Sequence, residues 1–318
     1  MQTPDARTGM VADAQAGNWV DQFAPEWLKP YARLARWDRP IGFWLLFWPC
    51  AFSLSMAAVA RPAEGFNLWA LLLCFIGAVA MRGAGCTFND IVDTQIDMKV
   101  ERTRSRPIPS GQVTRRQALI FLALQAAVGA VVLFQFNALT IGLGIASLVL
   151  VAIYPFMKRV TWWPQLFLGL AFSWGALIGW TSQVPTIGPV ALLLYVGCIL
   201  WTIGYDTIYA LQDVEDDALI GVKSTARLFG ANTRPIVGLF YVAALACWLA
   251  ASVISGAGLL FGGLMILPAA LLGWQVLTLK TEDAGDALAK FRSNHWVGLA
   301  LTLVLLAAAV SKGLVLGA

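Results

Sequence analysis

The chain has 318 residues, of which 59% are hydrophobic and only 13% charged, where a soluble domain carries roughly 25% charged residues. This composition excludes a soluble globular protein and points to a multi-span membrane protein surrounded by lipid. The formal net charge of +4 is small, no nucleic-acid partner is expected, and the information lies in where the charges fall.

Residues 1–29 read as a polar, flexible N-terminal segment. The first 25 residues hold one basic residue, Arg7, and no apolar core, which argues against a cleaved signal peptide and against an Arg-rich organelle presequence. Residues 30–318 read as one transmembrane domain. Nine apolar stretches, at 41–60, 68–88, 117–136, 138–157, 162–180, 186–207, 236–255, 258–278 and 296–316, each reach the roughly 20 residues that a helix needs to cross a bilayer. No strand-type alternation appears, so the predicted class is all-α. With the N-terminus on the cytoplasmic side, twenty of the 22 Lys and Arg residues fall on that side, and only Arg61 and Lys312 fall opposite. This is a strong positive-inside pattern. The expected location is a bacterial inner membrane, with multiple passes and the N-terminus inside. Cys50, Cys74, Cys86, Cys198 and Cys247 lie in or beside apolar stretches without metal-type spacing, and read as reduced, buried residues.

Two acidic clusters break the apolar background. In "MRGAGCTFNDIVDTQID", Arg82, Asn89, Asp93 and Asp97 step by 7, 4 and 4, which keeps them within about 80° of one helix face. In "YDTIYALQDVEDD", Asp206, Asp213 and Asp217 step by 7 and 4. A shift of 124 residues superposes Arg82 on Asp206, Asn89 on Asp213, Asp93 on Asp217 and Lys99 on Lys223. That weak repeat suggests two pseudo-symmetric halves with one site between the copies. Several carboxylates at a membrane edge need a counter-charge. Oxygen donors without neighbouring His or Cys select Mg²⁺ over Zn²⁺ or Cu²⁺.

Cations for a matching anion follow each cluster. Tyr154 and Lys158 stand one turn apart in "YPFMKR", and Arg102 lies in "VERTRSRPIPSG" directly after the first cluster. Lys158 and Arg102 are the expected phosphate ligands, while Arg104, Arg106, Arg115 and Arg116 read as ordinary positive-inside residues. A metal-bridged diphosphate at a membrane surface implies a lipid substrate, an isoprenyl diphosphate, and alkylation of an acceptor through an allylic carbon with carbocation character.

These residues resemble the UbiA superfamily of membrane prenyltransferases. Its first signature, N-D-x-x-D-x-x-x-D, matches Asn89, Asp90, Asp93 and Asp97; its Asp-rich second run matches Asp213, Asp216 and Asp217; and its Tyr-x-x-x-Lys element matches Tyr154 and Lys158. "WDRPIGFWLLFWPC", "MRGAGCTFND" and "YPFMKR" are similar to the branch that prenylates hydroxybenzoate. The resemblance implies nine helices around a central cavity open to the cytoplasmic side. It also implies Mg²⁺-dependent transfer of a polyprenyl chain from polyprenyl diphosphate to 4-hydroxybenzoate, ortho to the hydroxyl, in ubiquinone biosynthesis.

Asp93, Asp97, Asp213, Asp217 and Lys158 are then the expected catalytic set. Asn89, Asp93, Asp97, Asp213, Asp216 and Asp217 are the expected metal ligands, with Asp216 and Asp217 both open as the partner of Asp213. Arg82, Arg102, Tyr154, Asp206 and Lys223 are expected at the substrates. Arg82 is a candidate for the acceptor carboxylate, and Asp206 for pairing with Arg82 or orienting the acceptor. Competing readings are a naphthoate or haem acceptor, and a secondary transporter, whose coupling site would lie near the bilayer midplane.

Overall fold

A computed structural model describes residues 17–98, 103–219 and 221–316. Among them there is no strand, only helices and their connections. The helices are α1 (Trp19–Phe23), α2 (Lys29–Leu34), α3 (Ile41–Ala60), α4 (Leu68–Asp97), α5 (Arg115–Leu133), α6 (Ala138–Val160), α7 (Pro164–Phe172) and α8 (Gly175–Gln183). They continue with α9 (Pro189–Ala210), α10 (Val214–Leu219), α11 (Thr225–Phe229), α12 (Thr233–Ile254), α13 (Leu259–Leu264), α14 (Ile266–Thr278) and α15 (Ala284–Leu316).

Eight spans among the described residues are long and apolar enough to cross a membrane, with α13 and α14 together forming one of them. They match eight of the nine expected stretches. The fifth, 162–180, is built instead as α7 and α8, nine residues each. At their joint the ladder tightens: Ala176 N–H donates to Ser173 and Leu177 N–H to Trp174, three residues back. Gly175 and Gly179 then let α8 lie directly on the apolar part of α3. A Cβ at Gly175 would stand 2.6 Å from Cys50 Sγ, and one at Gly179 would stand 2.7 Å from the Cys50 carbonyl. This is the small-xxx-small approach of membrane helices.

The chain divides into two compact units, residues 1–44 with 75–135 and residues 45–74 with 136–318. In the first, part of the segment expected to be flexible is ordered. Asn18 Oδ1 accepts from Val20 and Asp21 N–H at the start of α1, and Arg33 pairs with Asp21 at 2.8 Å. Val20, Ala24 and Ala32 pack with Trp37. Helix α2 closes in a Schellman motif: Trp37 N–H reaches Ala32 O and Arg36 N–H reaches Arg33 O. The left-handed position, normally glycine, is Arg36 with φ +61°. Helices α4 and α5 approach through small residues. A Cβ at Gly83 would meet Gln125 at 2.3 Å, and one at Gly129 would meet Met81 at 2.4 Å.

The second unit is centred on aromatic packing. Trp201 and Trp248, both fully buried, stand 5.8 Å apart, with Phe52 against each. The Trp201 indole donates to Asn294 Oδ1 at 2.8 Å, which satisfies its polar edge inside the core. Lys312 donates to the carbonyls of Val59 and Ser255, both at 2.9 Å. One cation thereby satisfies backbone groups at the ends of α3 and α12.

Candidate active site

Helix α4 continues past its membrane span, which ends at Gln95, to Asp97. The first acidic cluster therefore sits on a regular helix, and the expected common face of Arg82, Asn89, Asp93 and Asp97 exists. Asp93 and Asp97 are buried, at 1% and 5% exposure. Burial pushes the Asp97 carboxyl up; Arg106 pulls it down, and Asp90 and Asp93 add to the rise.

Asp90, the second residue of the N-D pair, is held by two arginines, one of them shared with Asp97. It is fully buried. Both its oxygens accept from Arg36 Nη2, at 2.7 and 2.9 Å. Arg106 Nη1 donates to Asp90 Oδ1 at 3.2 Å and to Asp97 Oδ2 at 2.9 Å. The structure thus corrects the reading of Arg106 as an ordinary positive-inside residue: it bridges two acids of the cluster and ties the 103–114 connection to α4. Arg36 carries no signal in the sequence, because its partner lies 54 residues away.

Arg82 lies against the first turn of α3. A Cβ at Gly42 would stand 2.4 Å from Arg82 Nε, so the glycine leaves room for the guanidinium. Among the described residues of this unit, the structure brings together Arg82, Asn89, Asp93 and Asp97 on one helix. Arg102 lies outside the described residues.

In the second unit the second cluster departs from the expected geometry. Asp206 is on α9, but α9 ends at Ala210, Leu211–Asp213 is a 3₁₀ turn, and α10 begins at Val214. Three residues wound at about 120° instead of 100° rotate Asp213 and Asp217 by roughly 60° relative to Asp206. The narrow arc read from 7 and 4 spacing is therefore widened. Asp206, Asp213 and Asp217 are all half-buried, and the side chain of Asp216 lies outside the described residues.

Tyr154 and Lys158 lie one turn apart near the end of α6, on either side of the buried Pro155. Lys223 comes to the same place: its N–H donates to Lys158 O at 3.0 Å and its ammonium to Val160 O at 3.2 Å. It thus helps close the C-terminus of α6. Arg227, which the sequence does not single out, donates to the carbonyls of Asp217 and Val222 and stacks over Trp162 at 5.3 Å. Buried Gln165 of α7 accepts from Thr225 N–H at 3.0 Å, which fastens α11 behind that loop.

Among the described residues, no three acids, cysteines or histidines gather closely enough to hold a metal by themselves. The donor chemistry nevertheless fits Mg²⁺. The α4 face offers oxygen ligands only, and two of its carboxylates, Asp93 and Asp97, are buried, where a negative group calls for a counter-charge. Mg²⁺ commonly takes one or two carboxylates and completes its shell with water and substrate phosphates.

The UbiA prenyltransferase family profile matches residues 46–311. The chain belongs to this family. It is 44% identical over 301 residues to the mitochondrial 4-hydroxybenzoate polyprenyltransferase of Arabidopsis thaliana, covering 94% of this chain and 71% of the relative. It is 46% identical over 282 residues to the enzyme of the same name from Rattus norvegicus, covering 88% and 75%. It is 42% identical over 286 residues to 4-hydroxybenzoate geranyltransferase 1 of Lithospermum erythrorhizon, covering 88% and 91%.

Solved UbiA structures share the fold. The apo UbiA homolog of Aeropyrum pernix K1 superposes with a TM-score of 0.65 at 24% identity, over 84% of this chain and 97% of that one. The Archaeoglobus fulgidus homolog bound to GPP and Mg²⁺ gives 0.62 at 15% identity, over 87% and 99%. The expectation of a bacterial inner membrane is overturned by these comparisons, since the plant, insect and mammalian relatives carry mitochondrial names. The multi-pass membrane reading stands.

Proposed function

We propose that the chain transfers a polyprenyl group from a polyprenyl diphosphate to 4-hydroxybenzoate, ortho to the hydroxyl, as a step of ubiquinone biosynthesis. The observation that carries this reading is identity of 42–48% over most of the chain to relatives named for prenylation of 4-hydroxybenzoate. The UbiA fold and the acidic face of α4 support it.

Bound Mg²⁺ supplies charge neutralisation for a departing diphosphate. Asn89, Asp93 and Asp97 are assigned to hold it, and Asp213, Asp216 and Asp217 form the second acidic set. Lys158, Tyr154 and Arg102 are assigned to the phosphate oxygens, where cationic and hydroxyl donors strengthen as charge develops. As the allylic C–O bond breaks, its electron pair leaves with the diphosphate. The ring carbon beside the phenolic hydroxyl forms the new C–C bond, and the ring then loses its proton. Incubating the chain in membranes with radiolabelled 4-hydroxybenzoate, Mg²⁺ and prenyl diphosphates tests the reading. A prenylated hydroxybenzoate is expected, and a labelled product seen only with a different aromatic acceptor would overturn it.

Arg82 is assigned to the acceptor carboxylate, because a guanidinium stays charged when half-buried and binds carboxylates bidentately. Asp206 is assigned to orient the acceptor hydroxyl. Arg82→Ala is expected to raise KM for 4-hydroxybenzoate at least tenfold, about the loss of one charge-assisted pair, and to leave KM for the prenyl diphosphate near its original value. Gly42→Ala crowds the same guanidinium without removing it and should show the same split more weakly. Equal weakening of both substrates in steady-state kinetics would return Arg82 to a structural role.

A further inference from the structure

A second feature of α4 lies on the side away from the acids. A cavity of about 420 Å³ is lined by Ile91, Val92, Thr94, Gln95, Ile108 and Arg115. At about 100° per residue, Ile91 and Gln95 point roughly 160° away from Asp93. The cavity therefore opens on the back of the helix turn that carries the acidic face, and none of its lining residues belongs to that face.

Its position and chemistry are those of a membrane boundary. The span of α4 ends at Gln95 and the span of α5 begins at Arg115, so the cavity sits at the edge of the apolar slab. Ile91, Val92 and Ile108 give it apolar walls, and Thr94 and Gln95 a polar rim. Arg115, exposed at the rim, supplies one cation, and among the described residues no carboxylate or carbonyl pairs with it. Arg115 also stands at the first position of a 19-residue helix, whose dipole adds positive potential there. Immediately beyond it, Leu119, Ile120 and Leu124 of α5 are 49%, 53% and 61% exposed, and they continue the apolar surface into the lipid.

We propose that this cavity between α4, the 103–114 connection and the start of α5 binds one phospholipid with an anionic headgroup. The phosphate pairs with Arg115, the headgroup meets Thr94 and Gln95, and the first part of an acyl chain lies against Ile91, Val92 and Ile108. A membrane-edge pocket with a basic residue above apolar walls is the arrangement that anionic lipid headgroups select. The site is separate from the assigned catalytic residues, so it stands whether or not the proposed reaction is correct.

The test is native mass spectrometry of the delipidated full chain, titrated with phosphatidylglycerol or with phosphatidylcholine carrying the same acyl chains. Wild-type protein should retain one phosphatidylglycerol in preference to phosphatidylcholine. Arg115→Gln should weaken that retention about fivefold, the effect of one basic group at an anionic surface. Arg116→Gln makes the same change in charge one residue away, outside the cavity lining, and should leave retention unchanged. Ile108→Trp fills the cavity and should abolish it. Equal losses in Arg115→Gln and Arg116→Gln would assign the effect to diffuse surface charge. Equal retention of the two lipids would remove the anion requirement, and unchanged retention in Ile108→Trp would remove the cavity. Displacement of the lipid by millimolar inorganic phosphate would make it a free-phosphate site. Each of these four results overturns the proposal.

Discussion

Asp93→Asn and Asp217→Asn are each expected to lower turnover by about a hundredfold or more, the scale of losing one preorganised electrostatic group at a reacting centre, while folded protein remains in the membrane. Asparagine keeps the volume and a neutral oxygen but removes the anionic ligand. For Asp93 the consequence follows from its place: it is buried, midway along the acidic face of α4, with Asn89 one turn before it and Asp97 one turn after. The Mg²⁺ concentration giving half-maximal rate should also rise in each variant. Initial rates at saturating substrates, with folded protein quantified by size-exclusion chromatography, decide the matter. Wild-type rates in both variants, or a wild-type enzyme active in excess chelator, would defeat the metal assignment.

Three residues earlier on the same helix, the expected outcome is different in kind. Asp90→Ala should unfold or strongly destabilise the protein instead of producing a folded, inactive one. Removing Asp90 takes from the buried Arg36 guanidinium both of its Asp90 contacts and from Arg106 one of its two carboxylates. Truncating one partner of a buried ion pair costs about 3–5 kcal/mol. Arg36→Gly sets two effects against each other. It relieves a left-handed backbone at a non-glycine residue, worth about 1–3 kcal/mol, and it loses the bidentate contact. Loss of the ion pair outweighs the relief, so the melting temperature of Arg36→Gly should fall as well. A thermal unfolding series of Asp90→Ala, Arg36→Gly and Asp93→Asn should rank Asp90→Ala lowest and leave Asp93→Asn near wild type. A reversed order would mean that Asp90 belongs with the metal ligands.

This contrast within one motif shows what a sequence can and cannot convey. Spacings of 7, 4 and 4 put Arg82, Asn89, Asp93 and Asp97 on a common face because α4 is regular throughout, and periodicity reads regular helices well. It fails where the winding changes. Leu211–Asp213 tightens into a 3₁₀ turn with no glycine or proline to announce it. Ser173 and Trp174 likewise split the fifth expected span while keeping helix-like backbone angles. Long-range partners are equally hidden. Arg36 and Arg106 look like topology-setting cations because Asp90 lies 54 and 16 residues from them. The room that Gly42 leaves for Arg82 likewise follows from packing that no spacing records. The offset from Lys99 points Lys223 toward the substrates, yet its ammonium reaches the last carbonyl of α6.

Helix α4 has 30 residues, a rod of about 45 Å at 1.5 Å per residue, where the hydrocarbon layer is about 30 Å thick. Its acids are therefore carried on a rigid post that projects past the apolar layer. The level of Asp93 and Asp97 at the end of the span is fixed by the post and not by any loop. Bilayer thickness then becomes a variable of the chemistry. In a thicker bilayer the rod must stand more upright or its charged end must sink toward hydrocarbon, where carboxylates are costly. In a thinner one the acids stand further into the headgroups and water. Hydrophobic mismatch thus acts directly on the solvation of the acids assigned to hold the metal.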